Sequence, residues 1–278
     1  MKILLSLLLL ASGLYTGAQN LHITVFGGFS NYQGDLQEKR FTTTQAGPAF
    51  GAGLLYEITN KISARANFTY GKISADDKTG TKNRDRNLSF SSPITDVHLG
   101  VEYNILDIYE KVFTPYVFAG ISYFHFNPSA IDSTGNKVFL QPLGTEGQGF
   151  FEGRKKYDLN QFAIPFGAGA KLALGENLRI GFEIGLRKTN TDYLDDVSTT
   201  FADQQALIAN NGPQAAALSF RGDELKNSAT AYPAAGAQRG SPKFKDWYYF
   251  SGLTLSFRLD GNGGGNSRSK LGCPMNIQ

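Results

Sequence analysis

From Leu21 onward, apolar and polar residues alternate with a period of two in segments of roughly ten residues. That is the length a tilted β-strand needs to cross a bilayer. The seventh segment is the most regular: Leu178, Ile180, Phe182, Ile184 and Leu186 alternate without a break against Arg179, Gly181, Glu183, Gly185 and Arg187. The first, Leu21 to Tyr32, places Leu21, Ile23, Val25 and Phe29 on one face. The third, Ile62 to Lys72, sets Ile62, Ala64, Ala66, Phe68 and Tyr70 opposite Ser63, Arg65, Asn67 and Thr69. The fourth, Ile94 to Asn104, sets Val97, Leu99, Val101 and Tyr103 against Asp96, His98, Gly100 and Glu102. In the sixth, Phe162 through Leu172 alternate with Gly167, Gly169 and Lys171. The second (Pro48 to Glu57) is Gly-rich, and the eighth runs from Trp247 to Arg258. The fifth, Phe113 to Phe126, is apolar on both faces, so its orientation stays open.

The connections alternate as strictly as the side chains. Ile58-Thr59-Asn60-Lys61, the stretch around Leu106 to Val112 and Gly175-Glu176-Asn177 are short. The others run to about 15 residues after Tyr32, about 14 after Lys72, about 33 after Phe126 and nearly 60 after Arg187. Short turns at one end and long loops at the other predict an all-β fold: an eight-stranded antiparallel up-and-down transmembrane β-barrel with short periplasmic turns and long extracellular loops. The competing architecture is a soluble lipocalin-like barrel with its apolar face inside, because periodicity alone does not say which face is which. Within the longest loop (188–246; the other long one is 127–160), the Ala-rich stretch Gln204 to Leu218 favours a short helix.

Ahead of the strands, Lys2, the apolar run Ile3 to Leu10 and the small residues Thr16-Gly17-Ala18 read as a cleavable signal peptide over residues 1–18. The run is about half of the roughly 20 residues a membrane-spanning helix needs. The expected division is therefore signal peptide 1–18, barrel 19–259 and a Gly-rich periplasmic tail 260–278, with the mature chain in the outer membrane. Composition agrees, with 32 Gly, 13 Tyr and 21 Phe among 278 residues. A single cysteine excludes an intrachain disulfide framework. The formal charge of +3, or +2 without Lys2, is too small to argue for a nucleic-acid partner.

Eight strands leave a lumen filled by side chains rather than a wide pore. The polar faces would put Arg65, Asp96, His98, Glu102, Lys171, Arg179, Glu183 and Arg187 inside, where they must neutralise one another. No motif marks catalysis. Of His22, His98 and His125, only the last falls where a lipid-facing His–Ser site would sit, with Ser122 and Ser129 near in sequence. The doublets Asp76-Asp77 and Asp195-Asp196 lack EF-hand spacing and read as solvated loop charge. Gly261 to Gly265 reads as a flexible linker rather than a phosphate loop. The chain is expected to be no enzyme and to need no metal, cofactor or small-molecule substrate, its partners being outer-membrane lipid and protein.

Read as text, several blocks resemble the PorG-like barrels. They are Asn31-Tyr32-Gln33-Gly34-Asp35-Leu36, Tyr70 to Asp77, Phe113 to Gly120, Thr191-Asp192-Tyr193-Leu194-Asp195-Asp196-Val197-Ser198, Asp246-Trp247-Tyr248-Tyr249-Phe250, and the closing Lys270-Leu271-Gly272-Cys273-Pro274. The resemblance implies a non-enzymatic outer-membrane component of the type IX secretion system of Bacteroidota. Such a component ties a periplasmic ring of PorK-like and PorN-like proteins to the membrane for protein export and, in gliding species, for motility. On that reading a periplasmic partner reaches the turn near Thr59, then Asp107, Tyr109 and Glu110, then Glu176, and Arg268, Lys270 and Cys273 of the tail. Two readings compete with it: a stand-alone structural or adhesive barrel acting through its long outer loops, and a lipid-modifying enzyme that depends on His125.

Overall fold

The structure, a computed structural model, describes residues 20–37, 42, 44–80, 83–175, 177–225 and 231–259. The signal-peptide and tail assignments, with Glu176, Arg268, Lys270 and Cys273, lie outside the described residues. Ten strands run in chain order: β1 (Leu21–Gln33), β2 (Gly47–Glu57), β3 (Ile62–Asp76), β4 (Ser89–Asn104), β5 (Phe113–Phe126), β6 (Ser129–Ile131), β7 (Lys137–Phe139), β8 (Asn160–Ala173), β9 (Leu178–Thr189) and β10 (Trp247–Arg258). All pair antiparallel, and β10 returns to β1 from His22↔Arg258 to Gln33↔Trp247. That pairing closes eight of them into a barrel; β6 and β7 form a hairpin that joins the top of β4 at Ser91↔Ser129. All eight expected segments are strands. β3 and β4 are longer than the alternation suggested, ending at Asp76 and beginning at Ser89, because both rise above the charged zone as a wall for the loops.

Which face is inside is decided by the side chains. Phe162 and Ile121 are 62% exposed on the outer surface, and Leu99 is 53% exposed. Arg65, Asp96, Glu102, Lys171, Arg179, Glu183 and Arg187 are all buried within. In hydrocarbon the outer residues need no water, and a closed barrel satisfies every backbone group without an edge. A lipocalin-like arrangement is excluded, since it would reverse the two faces. Aromatics mark both ends of the belt: Tyr56, Tyr103 and Phe257 near the turns, Tyr70, Tyr123 and Trp247 toward the loops. No helix among the described residues is long and apolar enough to cross a membrane. The open question at β5 is settled as well. Tyr116, Phe118, Phe124 and Phe126 point inward, while Val117, Ile121 and Tyr123 point out.

The main apolar core does not fill the mid-barrel. It lies between the loop-end rim and the loops, where Ile73, Ile94, Phe124, Phe126, Tyr248 and Phe250 meet Leu88, Leu140, Leu194, Val197 and Leu218. The Ala-rich stretch forms two helices rather than one, α1 (Gln204–Asn211) and α2 (Pro213–Ser219). Asp203 caps α1 by accepting from the Ala206 amide, and Gly212-Pro213 divides the pair, since proline starts a helix but cannot continue one. A second small core of Ala202, Leu207, Ala215 and Ala216 fastens the helices to Leu143 and Phe150 of the preceding loop.

Candidate functional site: sealed lumen and extracellular cap

The pleat sends alternate residues of each strand into the lumen, and strand pairing stacks them in three levels. In the middle level Arg65 makes a bidentate pair with Glu183, at 3.0 and 3.1 Å, and lies 3.7 Å from Glu102. Lys171 bonds the other oxygen of Glu102, and the Tyr116 hydroxyl donates to Glu183 at 2.8 Å. The cations also lie over rings, Arg65 4.1 Å from the Phe118 centroid and Lys171 4.4 Å from that of Tyr116. Near the turn end, Arg179 meets Glu57 at 2.5 Å, with His22 Nε2 3.2 Å from the same carboxylate. Toward the loops, Asp96 accepts from Tyr248 at 2.7 Å and faces Arg187 at 3.7 Å.

All eight lumen residues singled out from the sequence are buried there, and seven of them are joined in these ion pairs. The exception is His98, whose ring nitrogens make no hydrogen bond. Its ring lies in a slot over two facing glycines. A Cβ on Gly120 would fall 2.6 Å from Gly100 Cα and 2.9 Å from His98 Nε2, so neither position tolerates a side chain. Sequence reasoning missed Glu57, His22, Tyr116 and Tyr248. Glu57 shares the parity of Leu55 and was legible had faces been assigned to the Gly-rich segment; Tyr116 was hidden by the doubly apolar β5. With Glu57 included, Arg65, Lys171, Arg179 and Arg187 face Glu57, Asp96, Glu102 and Glu183, four cations against four carboxylates. Each ion loses several kcal/mol of hydration on burial, which only close, saturated pairing offsets. A lumen cavity of about 40 Å³ beside Thr24, Asn67, Thr69 and Thr254 has room for one to a few waters.

At the turn end the candidate contact residues divide. Tyr109 folds back to bond Glu57 through its hydroxyl, and its ring lies beneath Arg179 and Arg258. It closes the barrel mouth. Asp107 is engaged in its own turn, accepting from the Tyr109 amide at 2.9 Å and from Asn60 at 2.8 Å, whereas Glu110 is exposed.

The acidic doublets correct the sequence reading, which expected solvated charge. Asp77, Asp195 and Asp196 are 3%, 2% and 0% exposed, because the loops fold into a packed cap whose arginines come from distant segments. Arg86 makes a bidentate pair with Asp77 and bonds the carbonyl of Arg239. Arg239 in turn binds Glu146 at 3.0 Å, the Asp196 carbonyl and the Ser219 carbonyl. Glu146 also accepts from the Ser198 and Thr199 amides. Asp196 sits at φ 67°, a conformation non-glycine residues rarely adopt, and accepts from Thr145 and Tyr157. Tyr32 lies 2.6 Å from Asp195 and 3.2 Å from Asp246 and has one proton for the two. Burial pushes Asp196 up to about 6 and Asp192 up to about 7. Burial and mutual repulsion also raise Asp195 and Asp246, so the cap retains protons that exposed aspartates release. No group of three His, Cys, Asp or Glu side chains among the described residues is arranged to hold a metal ion. His125 bonds Asn160 on the outer face, Ser122 points into the lumen, and Ser129 donates to the Ser91 carbonyl.

These features define a class: a transmembrane β-barrel of the outer-membrane type, with a charge-sealed lumen and a folded extracellular cap. The chain belongs to the family described as Domain of unknown function (DUF6089), whose profile matches residues 1–143. It is similar to the attachment invasion locus protein Ail of Yersinia pestis (10% identity, TM-score 0.41, covering 85% of this chain and 96% of that one). It is also similar to Neisserial surface protein A (8%, 0.42, 86% and 97%) and to OprG of Pseudomonas aeruginosa (12%, 0.40, 87% and 98%). No curated protein matches the sequence.

Proposed function

We infer that the chain is a non-enzymatic, non-conducting outer-membrane component of the type IX secretion system, tying a periplasmic ring of PorK-like and PorN-like proteins to the membrane. The observation that carries the non-conducting part is the lumen, closed at three levels by ion pairs and at the loop end by an apolar stopper. Work done by this chain is therefore done on its two faces. The secretion role is supported by the blocks that resemble PorG-like barrels, because four of the six come together at the loop end of the barrel. Tyr32, Asp35, Asp77, Asp192 to Asp196 and Asp246 are all parts of the cap and its anchoring rim. Partner-facing candidates at the turn end are Glu110 and the neighbouring Lys111, both exposed.

A second reading, a stand-alone structural or adhesive barrel, is favoured by the cap itself, since ordered outer loops present a fixed surface. The two are separated by affinity purification of a tagged chain from outer membranes in mild detergent. Recovery of PorK-like and PorN-like proteins, lost on Glu110→Lys, supports the anchor. Recovery of the barrel alone, with secretion intact in a deletion strain, sinks it. A conductance above that of protein-free bilayers would overturn the sealed lumen.

A further inference from the structure

We propose that the outer face of the β9–β10 seam is a binding site for a phosphorylated glycolipid headgroup of the outer leaflet. Lys188, the penultimate residue of β9, is exposed on the lipid-facing side and pairs across the seam with Trp247, the first residue of β10. Its Nζ lies 6.0 Å from the Trp247 ring, which is braced edge-on against Phe166 at 5.8 Å. Two residues above Trp247, on the same parity, Lys245 is exposed; Lys243 and Phe244 follow, Phe244 at 77% exposure.

The height of this group decides its partner. Tryptophan marks the boundary between acyl chains and headgroups, and lysines just beyond it extend their ammonium groups into the headgroup layer. Below the seam the outer face is apolar apart from Ser251, with Ile184 and Phe182 beside Leu253 and Leu255, which suits acyl chains. The three lysines suit phosphate, and Trp247 and Phe244 supply flat surfaces for sugar and chain. The neighbouring strands end in neutral outward residues, Asn160 on β8 and Gln33 on β1, and the exposed Asp158 beyond Asn160 stands as one carboxylate against three lysines. The surface is remote from the turn end and stands apart from the secretion role.

Trp247 is the only tryptophan in the chain, so its fluorescence reports on the site directly. The full-length protein in detergent micelles is titrated with phosphorylated lipid A, with the same lipid dephosphorylated, and with inorganic phosphate. The expected result is a saturable spectral change with the phosphorylated lipid. The dephosphorylated lipid or the Lys188→Gln/Lys245→Gln variant should weaken it about tenfold or more. Equal binding of the two lipids overturns the proposal, as does unchanged binding by the variant. The same response to inorganic phosphate alone also overturns it, leaving a simple anion site. Both substitutions are on exposed side chains, and circular dichroism verifies that the variant barrel is intact.

Discussion

The lumen and the cap both bury many ionisable groups, yet they resolve the cost in opposite ways. In the lumen, four carboxylates meet four cations, and charge is cancelled by charge. In the cap, Asp35, Asp77, Glu146, Asp192, Asp195, Asp196 and Asp246 share Arg86 and Arg239, and the surplus is cancelled by retained protons. The second solution makes the cap sensitive to pH. A barrel built in this way keeps a rigid transmembrane stave while leaving its outer surface open to the chemistry of the medium.

The comparison is broken most severely by removing a lumen cation. Arg65→Ala leaves Glu183 without a cation and Glu102 with Lys171 alone, and should cost about 3–5 kcal/mol of whole-barrel stability, read as a lowered urea midpoint in detergent. Arg239→Ala should carry a similar cost per site but confine it to the cap. Loops 127–159 and 190–246 become protease-sensitive while the barrel still resists. If both variants unfold together, the two regions are one cooperative unit and the contrast fails.

A pH titration sharpens the same contrast. The cap holds Asp196 near 6 and Asp192 near 7, above the ordinary aspartate value of about 4 that the opened loop would show. Folding of the cap therefore binds protons. Its stability is fully present below about pH 4 and is lost as pH rises through 6 and 7. Loop proteolysis should accelerate several-fold from pH 5 to 8, and Asp192→Asn should flatten that dependence. An opposite slope would mean that the aspartates are ionised in the folded cap. The smallest effect is at the turn end. Tyr109→Phe removes one donor from buried Glu57, which keeps Arg179 and His22, and should cost only about 0.5–1.5 kcal/mol, detectable as a slight midpoint shift.

How far the sequence reached can be followed residue by residue. The faces of β4 and β9 were readable because apolar and charged residues alternate there without interruption. β5 was not, because Phe124 and Phe126 belong to the apolar stopper and Phe118 packs against Arg65 in the charged level, so both faces of the strand are greasy. Glu57 escaped notice as the last polar residue of a Gly-rich segment, and with it the fourth carboxylate that balances the lumen. The doublet Asp195-Asp196 looked like solvent-facing loop because nothing adjacent to it in sequence is cationic.

The sequence by itself determined the number of crossings, the parity of nearly every strand and the alternation of turns with loops. These are local properties: the β pleat sends neighbouring residues to opposite faces whatever the strand pairs with. Tertiary structure alone decided which charges meet and which acids are buried. Arg65 and Glu183 lie 118 residues apart, and Tyr32 and Asp246 lie 214 apart. Their energies depend on distance and hydration across the closed barrel, quantities that no spacing along the chain encodes.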